Sequence, residues 1–242
     1  MIEFQNVRCV LPAGQVLLHG LTLKVEEGDT LALLGRSGSG KTTTLKLINR
    51  LRDATSGEVR VAGRPVNVWD PIRLRRSLGY VIQEAGLFPH FTVARNVGLV
   101  PTLEGWDAAR IEQRTAEMLT LVGLDPAEFG ARFPDELSGG QRQRAGVARA
   151  LAADPPVLLM DEPFGALDPI TRSEIQQEFR SLRDRLRKTV VFVTHDIREA
   201  FLLGTKIALL EAGELIAHGT PDEIRNSDDA RVKAFLPDVE RA

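Results

Sequence analysis

Residues 31–43 read LALLGRSGSGKTT, where four apolar residues run into a glycine-rich loop and then into a helical pattern. A short run that is apolar at every position is typical of a strand buried on both faces. Glycines allow successive backbone N–H groups to approach phosphate oxygens without Cβ clashes, and the helix start adds a partial positive charge there. The segment therefore predicts a phosphate-binding strand–loop–helix unit.

The loop has the residue spacing of the P-loop motif, and both of its flanks fit that motif. Lys41 can reach the β- and γ-phosphates of ATP as a point charge, and the hydroxyl of Thr42 suits Mg²⁺. The alternative is a glycine-rich turn that caps a helix by chance, which the correct flanks disfavour. We expect ATP to be bound by Gly35, Arg36, Ser37, Gly38, Ser39, Gly40, Lys41, Thr42 and Thr43.

Two further apolar runs, residues 157–160 and 190–193, also predict buried strands. They alternate with helical patterns, which indicates an α/β fold with a mainly parallel sheet. Residues 1–23 and 57–61 show an alternating pattern with glycine turns, as in an antiparallel β layer.

The pattern changes at about residue 84, and helical stretches dominate as far as residue 151. We interpret residues 84–151 as a helical lobe inserted into a P-loop NTPase core of residues 1–83 and 152–242. At 242 residues, one domain with such an insertion is the default.

Composition restricts the possible partners and the compartment. The formal net charge of −2 gives no long-range attraction to nucleic acid. Cys9 is the only cysteine, which excludes an intrachain disulfide and fits a reducing compartment; we expect it to be a buried strand residue. No apolar run is long enough to cross a bilayer, and the first residues lack the pattern of a signal peptide. These features predict a soluble, cytoplasmic chain.

Polar residues follow the two later strands. Asp161 and Glu162 come directly after residues 157–160, at the sheet edge where a P-loop also opens. Asp161 would help to bind Mg²⁺, and Glu162 would polarise the attacking water, although two acids can also simply cap a helix.

His195 follows the strand of residues 190–193 and could donate a hydrogen bond to the γ-phosphate. Gln83 opens the predicted lobe, and its amide could bridge Mg²⁺ or water to that lobe.

Residues 137–144 read LSGGQRQR and open a long helical pattern. Ser138 can cap that helix, and Gly139 and Gly140 expose N–H groups, so this is a second anion-binding helix end. Such an end on an inserted lobe cannot easily reach the P-loop of its own chain. The economical arrangement is two subunits packed head to tail, in which Ser138, Gly139, Gly140 and Gln141 face the ATP of the partner.

With these motifs in this order, the sequence resembles the ABC transporter ATPases over essentially its whole length. The resemblance implies that ATP holds two ATPase subunits together and that hydrolysis reopens them. It implies a dimer contact at Asp168, within the segment GALD of residues 165–168. It also implies an integral-membrane permease, an extracytoplasmic solute-binding protein, and a position on the inner face of the membrane through the permease.

Residues 83–90 and 194–200 resemble those of ATPases that import quaternary amines and osmoprotectants such as glycine betaine. The alternatives are the ATPase of an exporter and an ABC ATPase without a transport role. The family usually stacks an aromatic residue on adenine, whereas the matching position here is Leu11. We expect Leu11 to contact adenine without an aromatic face, unless it lies in the core and another residue covers the base.

Overall fold

A computed structural model describes residues 1–83 and 85–236 of the chain. Glu84, part of the pattern shared with quaternary-amine importers, and residues 237–242 lie outside the described residues. The strands are β1 Ile2–Val10, β2 Val16–Val25, β3 Thr30–Leu34, β4 Ser56–Val61, β5 Arg64–Pro65, β6 Leu78–Val81, β7 Val157–Asp161, β8 Thr189–Thr194, β9 Lys206–Glu211 and β10 Glu214–Gly219. The helices are α1 Lys41–Ile48, α2 Pro71–Arg76, α3 Val93–Val97, α4 Leu99–Leu103, α5 Ala108–Leu121, α6 Pro126–Phe129, α7 Gly139–Leu151, α8 Pro169–Leu186, α9 Ile197–Leu203, α10 Pro221–Arg225 and α11 Ala230–Phe235.

The contacts of the chain divide it into two compact units. The first unit comprises residues 1–75 and 188–242, and the second comprises residues 76–187. The predicted lobe, residues 84–151, falls within the second unit, which also contains β6, β7 and α8. The boundaries of the lobe stay a prediction.

The first unit contains the antiparallel β layer. Its strands lie in the order β2-β1-β4-β5, and Ile2 of β1 is paired with Val25 on one side and with Val61 on the other. Apolar and polar residues alternate along most of β1, so that Ile2, Phe4 and Cys9 are buried. The predicted antiparallel layer is therefore confirmed.

The first unit also contains a parallel set of strands. β3 pairs in parallel with β8 on one side and with β9 on the other, while β9 and β10 form an antiparallel hairpin. Every residue of β3 and β8 is buried, as the continuous apolar runs predict. The hairpin turns at Ala212 and Gly213, both with positive φ.

In the second unit β6 pairs in parallel with β7, and α7 packs on β6. That approach depends on Gly79, because a Cβ atom there would lie 2.6 Å from the carbonyl oxygen of Ala150 in α7. Helices α3, α5 and α8 pack on α7 as well. The unit is thus organised around one helix.

Gly79→Ala tests this packing. The added methyl group would meet the backbone oxygen of Ala150 and also Leu158 Cδ1, at 2.8 Å, so we expect the free energy of unfolding to fall by about 1–3 kcal/mol. Chemical denaturation measures the change. Gly139→Ala is the matched control, because its Cβ would meet only Leu167 Cδ2, at 3.7 Å. Equal stability of the two variants would show that α7 does not need a glycine on β6.

Candidate active site

The P-loop joins β3 to α1 in the first unit. Gly35 has a φ of 156°, and a Cβ there would collide with the carbonyl oxygen of Leu210. Gly40 has a φ of 103° and caps α1, where a Cβ would lie 2.8 Å from Leu18 Cδ2. Larger residues at these two positions would require the loop backbone to move away from β2 and β9.

Lys41 is 5% exposed, and its Nζ donates hydrogen bonds to the carbonyl oxygens of Gly35 (2.8 Å) and Arg36 (2.9 Å). The ammonium group therefore lies within the loop, as the phosphate-binding role requires. Ser39 is 3% exposed, and among the residues that the structure describes its Oγ has no hydrogen-bond partner. A buried hydroxyl without a partner costs about 1–3 kcal/mol, and a phosphate oxygen is an acceptor that would remove this cost. The loop residues therefore fit a phosphate group.

The remaining predicted P-loop residues lie more toward solvent. Ser37 and Gly38 are exposed, and Thr42 and Thr43 are half-buried in the first turn of α1. The side chain of Arg36 is directed to α11, where its guanidinium lies 5.2 Å from the centroid of the Phe235 ring. Arg36 therefore has only its backbone to offer to a phosphate while that contact holds.

His195 lies at the same end of the paired strands as the P-loop. Leu34 of β3 is paired with Thr194 of β8, so Gly35 and His195 are the first residues beyond the pair. Thr194 Oγ1 accepts the backbone N–H of Asp196 at 3.0 Å, which fixes the turn that carries His195. The imidazole is exposed. The structure therefore places His195 at the predicted edge.

Leu11 lies in the turn between β1 and β2. Its backbone N–H donates to Gln15 O, and its carbonyl oxygen accepts from Gly14 N, both at 2.8 Å. The side chain is half-buried, so it is not part of the core. The contact with adenine stays a prediction.

Glu162 and Gln83 come together in the second unit. A Cβ added at Gly165 would lie 3.6 Å from Glu162 Oε2 and 3.7 Å from Gln83 Nε2. Both polar ends therefore lie beside Gly165, which brings the two predicted site residues close to each other. Glu162 has a φ of 45°, an uncommon conformation for a residue with a Cβ and one that costs of order 1–3 kcal/mol.

Asp161 ends β7, and its negative charge acts on Tyr80 of the neighbouring strand β6. Burial, and secondly that charge, raise the pKa of Tyr80 to about 12. The phenol is thus neutral and can donate a hydrogen bond throughout the physiological range. Tyr80 is not among the predicted site residues; its position as the penultimate residue of β6 carries no distinguishing signal in the sequence.

The signature begins α7. Ser138 Oγ accepts the backbone N–H of Gln141 at 3.2 Å, and Gln141 Oε1 accepts the backbone N–H of Ser138 at 2.8 Å. This capping box fixes the first turn. Ser138 and Gly139 are exposed, whereas Gly140 is buried against α8. A Cβ atom at Gly140 would lie 2.7 Å from Thr171 Cγ2 of that helix. One side of the helix start is open, and the other is closed by α8.

Asp168 caps α8, because its Oδ1 accepts the backbone N–H groups of Ile170 (3.2 Å) and Thr171 (3.1 Å). Hydrogen bonds from Thr171, first through its side chain, lower the pKa of the Asp168 carboxyl. The preceding residue, Leu167, lies beside Gly139. The signature and the segment of residues 165–168 are therefore neighbours within the second unit, while the dimer contact of Asp168 stays a prediction.

Among residues 1–83 and 85–236, no helix combines the length and apolar character that a bilayer crossing requires.

Comparisons with known proteins point to one family. The family model described as ABC transporter matches residues 18–165. The choline transport ATP-binding protein OpuBA of Bacillus subtilis is 48% identical over 100% of this chain and 66% of its own length. The osmoprotectant import ATP-binding protein OsmV of Salmonella typhimurium is 50% identical over 93% of this chain and 60% of its own. The chain thus spans slightly less than two thirds of these relatives.

A solved structure shows the same architecture. The ATP-binding cassette MJ0796, in a dimeric post-hydrolysis state bound to ADP and Pi, superposes with a TM-score of 0.81 at 35% identity. The match covers 91% of this chain and 99% of that one. The predicted α/β fold with its P-loop core is therefore confirmed.

The single tyrosine allows a direct test of the Asp161 environment, because phenolate absorbance reports Tyr80 alone. Burial and the nearby carboxylate disfavour the charged phenolate, so we expect it to appear near pH 12 in the folded protein and near pH 10 in denaturant. Asp161→Asn removes the charge and should lower the pKa of the folded protein. A spectrophotometric pH titration measures both. Ionisation of the folded protein at the same pH as the denatured chain would contradict this description.

Proposed function

The chain belongs to the ABC transporter family, and from that premise we propose that it hydrolyses ATP to power the import of an osmoprotectant or quaternary amine. The phosphate cradle carries the ATPase part, because it unites the glycine backbone, the enclosed ammonium of Lys41 and the unpartnered hydroxyl of Ser39. The import part is supported by OpuBA and OsmV, whose names specify choline transport and osmoprotectant import.

In the proposed reaction Lys41 neutralises the β- and γ-phosphates, together with N–H groups of the loop and the start of α1. Glu162 accepts a hydrogen bond from the attacking water and orients it toward the γ-phosphate. His195 donates a hydrogen bond to the γ-phosphate. Phosphoryl transfer needs positioning and charge neutralisation more than covalent help, and these side chains supply both.

The side chains of Thr42, Gln83 and Asp161 offer hydroxyl, amide and carboxylate oxygens, the donors that Mg²⁺ prefers. We assign the Mg²⁺ of the ATP complex to them. The ion supplies further neutralisation of phosphate charge.

We also propose the partners. Two ATPase subunits associate head to tail, so that Ser138, Gly139, Gly140 and Gln141 of one subunit contact the ATP bound by the other. The exposed side of the α7 start suits this contact. A permease and an extracytoplasmic solute-binding protein complete the importer, and the chain works at the inner face of the membrane through the permease.

Glu162→Gln tests the catalytic assignment. The amide keeps the shape of the side chain but is a poor acceptor for the proton of water, so we expect the ATPase rate to fall by ~10²–10⁴-fold. ATP binding should persist, and ATP-dependent dimers should accumulate on a sizing column. Glu174→Gln, on the exposed face of α8, is the control and should keep the parental rate. Unimpaired turnover by Glu162→Gln would exclude this carboxylate as the group that orients water.

The head-to-tail arrangement is tested by mixing two inactive variants. Ser138→Arg blocks the helix end offered to the partner, and Lys41→Ala damages the P-loop. A mixed dimer has one site with both lesions and one site with neither, so mixing should restore ATP hydrolysis and ATP-dependent association. Each variant alone has two damaged sites and should remain inactive. If mixing restores neither property, the proposal that each ATP site is shared between two subunits is wrong.

A further inference from the structure

The described residues that follow β6, residues 82, 83 and 85–92, are called here the Gln83 loop. Two consecutive residues in it have left-handed backbone, Ala85 with a φ of 61° and Gly86 with a φ of 52°. Side chains of other elements satisfy the carbonyl groups of this segment. Arg149 of α7 donates from Nη2 to Ala85 O at 2.8 Å and from Nη1 to Gly86 O at 2.7 Å. The two bonds hold the segment that begins two residues after Gln83.

The environment strengthens the Arg149 contact. The guanidinium is partly buried, and this burial lowers its pKa. Hydrogen bonds from a charged donor are stronger than those between neutral groups, and a low local dielectric strengthens them further. α7 also approaches the loop directly, since a Cβ at Gly146 would lie only 3.0 Å from Ala85 Cβ. Packing and hydrogen bonds therefore fix Ala85 to α7.

Asn96 of α3 holds the other half of the loop. Its side chain is 0% exposed, and its Oδ1 accepts the backbone N–H of Phe88 at 2.8 Å. Its Nδ2 donates to the carbonyl oxygens of Phe88 (3.1 Å), Phe91 (3.1 Å) and Thr92 (3.0 Å). Both polar atoms of this fully buried amide are hydrogen-bonded to the Gln83 loop, so the Asn96 side chain holds that half of the loop in place.

Both anchors belong to the helices of the second unit, and α3 itself packs on α7. Arg149 lies in the helix whose first turn is formed by the signature. A shift of that helix relative to the Gln83 loop would break the two hydrogen bonds of Arg149. Gln83 neighbours the carboxylate of Glu162 across Gly165, so the position of the loop backbone decides where the Gln83 amide lies relative to Glu162.

We propose that Arg149 and Asn96 are positioning residues for Gln83. The proposal rests on the proposed ATPase function, in which Gln83 acts at the Mg²⁺ and the water. Neither residue touches the reacting atoms. Both act by fixing the backbone on which Gln83 is carried.

The test compares steady-state ATP hydrolysis of the full chain and two Arg149 variants. Arg149→Met removes both carbonyl bonds, and we expect kcat to fall by about 10–100-fold, as for other residues that orient a functional group. KM for ATP should change by less than about threefold, because the P-loop that binds the phosphates is intact. Arg149→Lys keeps a cationic donor for one carbonyl and should recover part of kcat.

Arg114→Met is the matched control. Arg114 of α5 also donates to two backbone carbonyls, Ala152 O at 3.0 Å and Leu151 O at 3.2 Å, at the end of the same helix. It does not hold the Gln83 loop, so its removal should lower stability like that of Arg149 and leave kcat within about twofold. Equal losses of kcat in the two variants would overturn the proposal and indicate a general effect on α7.

Asn96→Asp tests the second anchor. The aspartate keeps an acceptor for the Phe88 N–H but places an oxygen against the three carbonyl groups, so the loop should leave its position and kcat should fall with little change in KM. Amide hydrogen exchange of residues 85–92 is a readout independent of turnover. Exchange should accelerate in Arg149→Met and Asn96→Asp but not in Arg114→Met.

The outcomes separate this inference from the proposed function. If the parent chain hydrolyses ATP and both anchor variants keep its kcat, the positioning role is wrong. If the parent chain does not hydrolyse ATP at all, the proposed function is wrong. The exchange measurement then still decides whether Arg149 and Asn96 hold the loop.

Discussion

Close approach of backbone to backbone, at positions where a Cβ atom would collide, controls where the functional residues of this chain lie. In the first unit Gly35 lets the P-loop pass against the carbonyl of Leu210, which places the loop at the end of β3. In the second unit Gly146 lets α7 touch Ala85. A methyl group at either position would displace main chain rather than rotate a side chain, and displaced main chain carries catalytic groups with it.

Two residues at or near the candidate site have a strained backbone. Glu162, itself assigned to catalysis, and Ala85, two residues after Gln83, have left-handed backbone although both have a Cβ. The strain of Ala85 is offset by two bonds from Arg149, a charged donor in a partly buried setting. Strained segments persist only where the surroundings over-determine them, so the network around the Gln83 loop is a requirement of its geometry.

The sequence was informative wherever function is encoded in contiguous residues. The P-loop spacing, the buried runs and the cap at Ser138 each follow from local physics, and β3, β7, β8 and the start of α7 lie where those patterns predict them. The polar residues that directly follow two buried strands likewise predict that Glu162 and His195 lie at strand ends. Gln83 acquires meaning only through the resemblance to a family, because a single amide at the end of a strand has no local signature.

Contacts between distant segments could not be predicted. Arg149 is one of several arginines along α7, and helical periodicity does not distinguish the one that meets Ala85 and Gly86. Asn96 reads as an ordinary polar residue of a short helix, although its side chain is fully buried. Tyr80 gains its raised pKa from burial and from Asp161, which is 81 positions away in the chain (161 − 80). These residues depend on tertiary structure that periodicity does not encode.

The geometry of α7 explains why one helix can serve two functional elements. Its 13 residues give a rod about 20 Å long at 1.5 Å per residue, with the signature in its first turn and Arg149 near its end. A hydrogen-bonded helix resists bending, so a displacement at the first turn reaches Arg149 with little loss. Loop contacts through flexible surface side chains would absorb such a displacement. Here the contacts with α7 run through a partly desolvated guanidinium and a glycine contact, and a buried amide joins the loop to α3, which packs on α7.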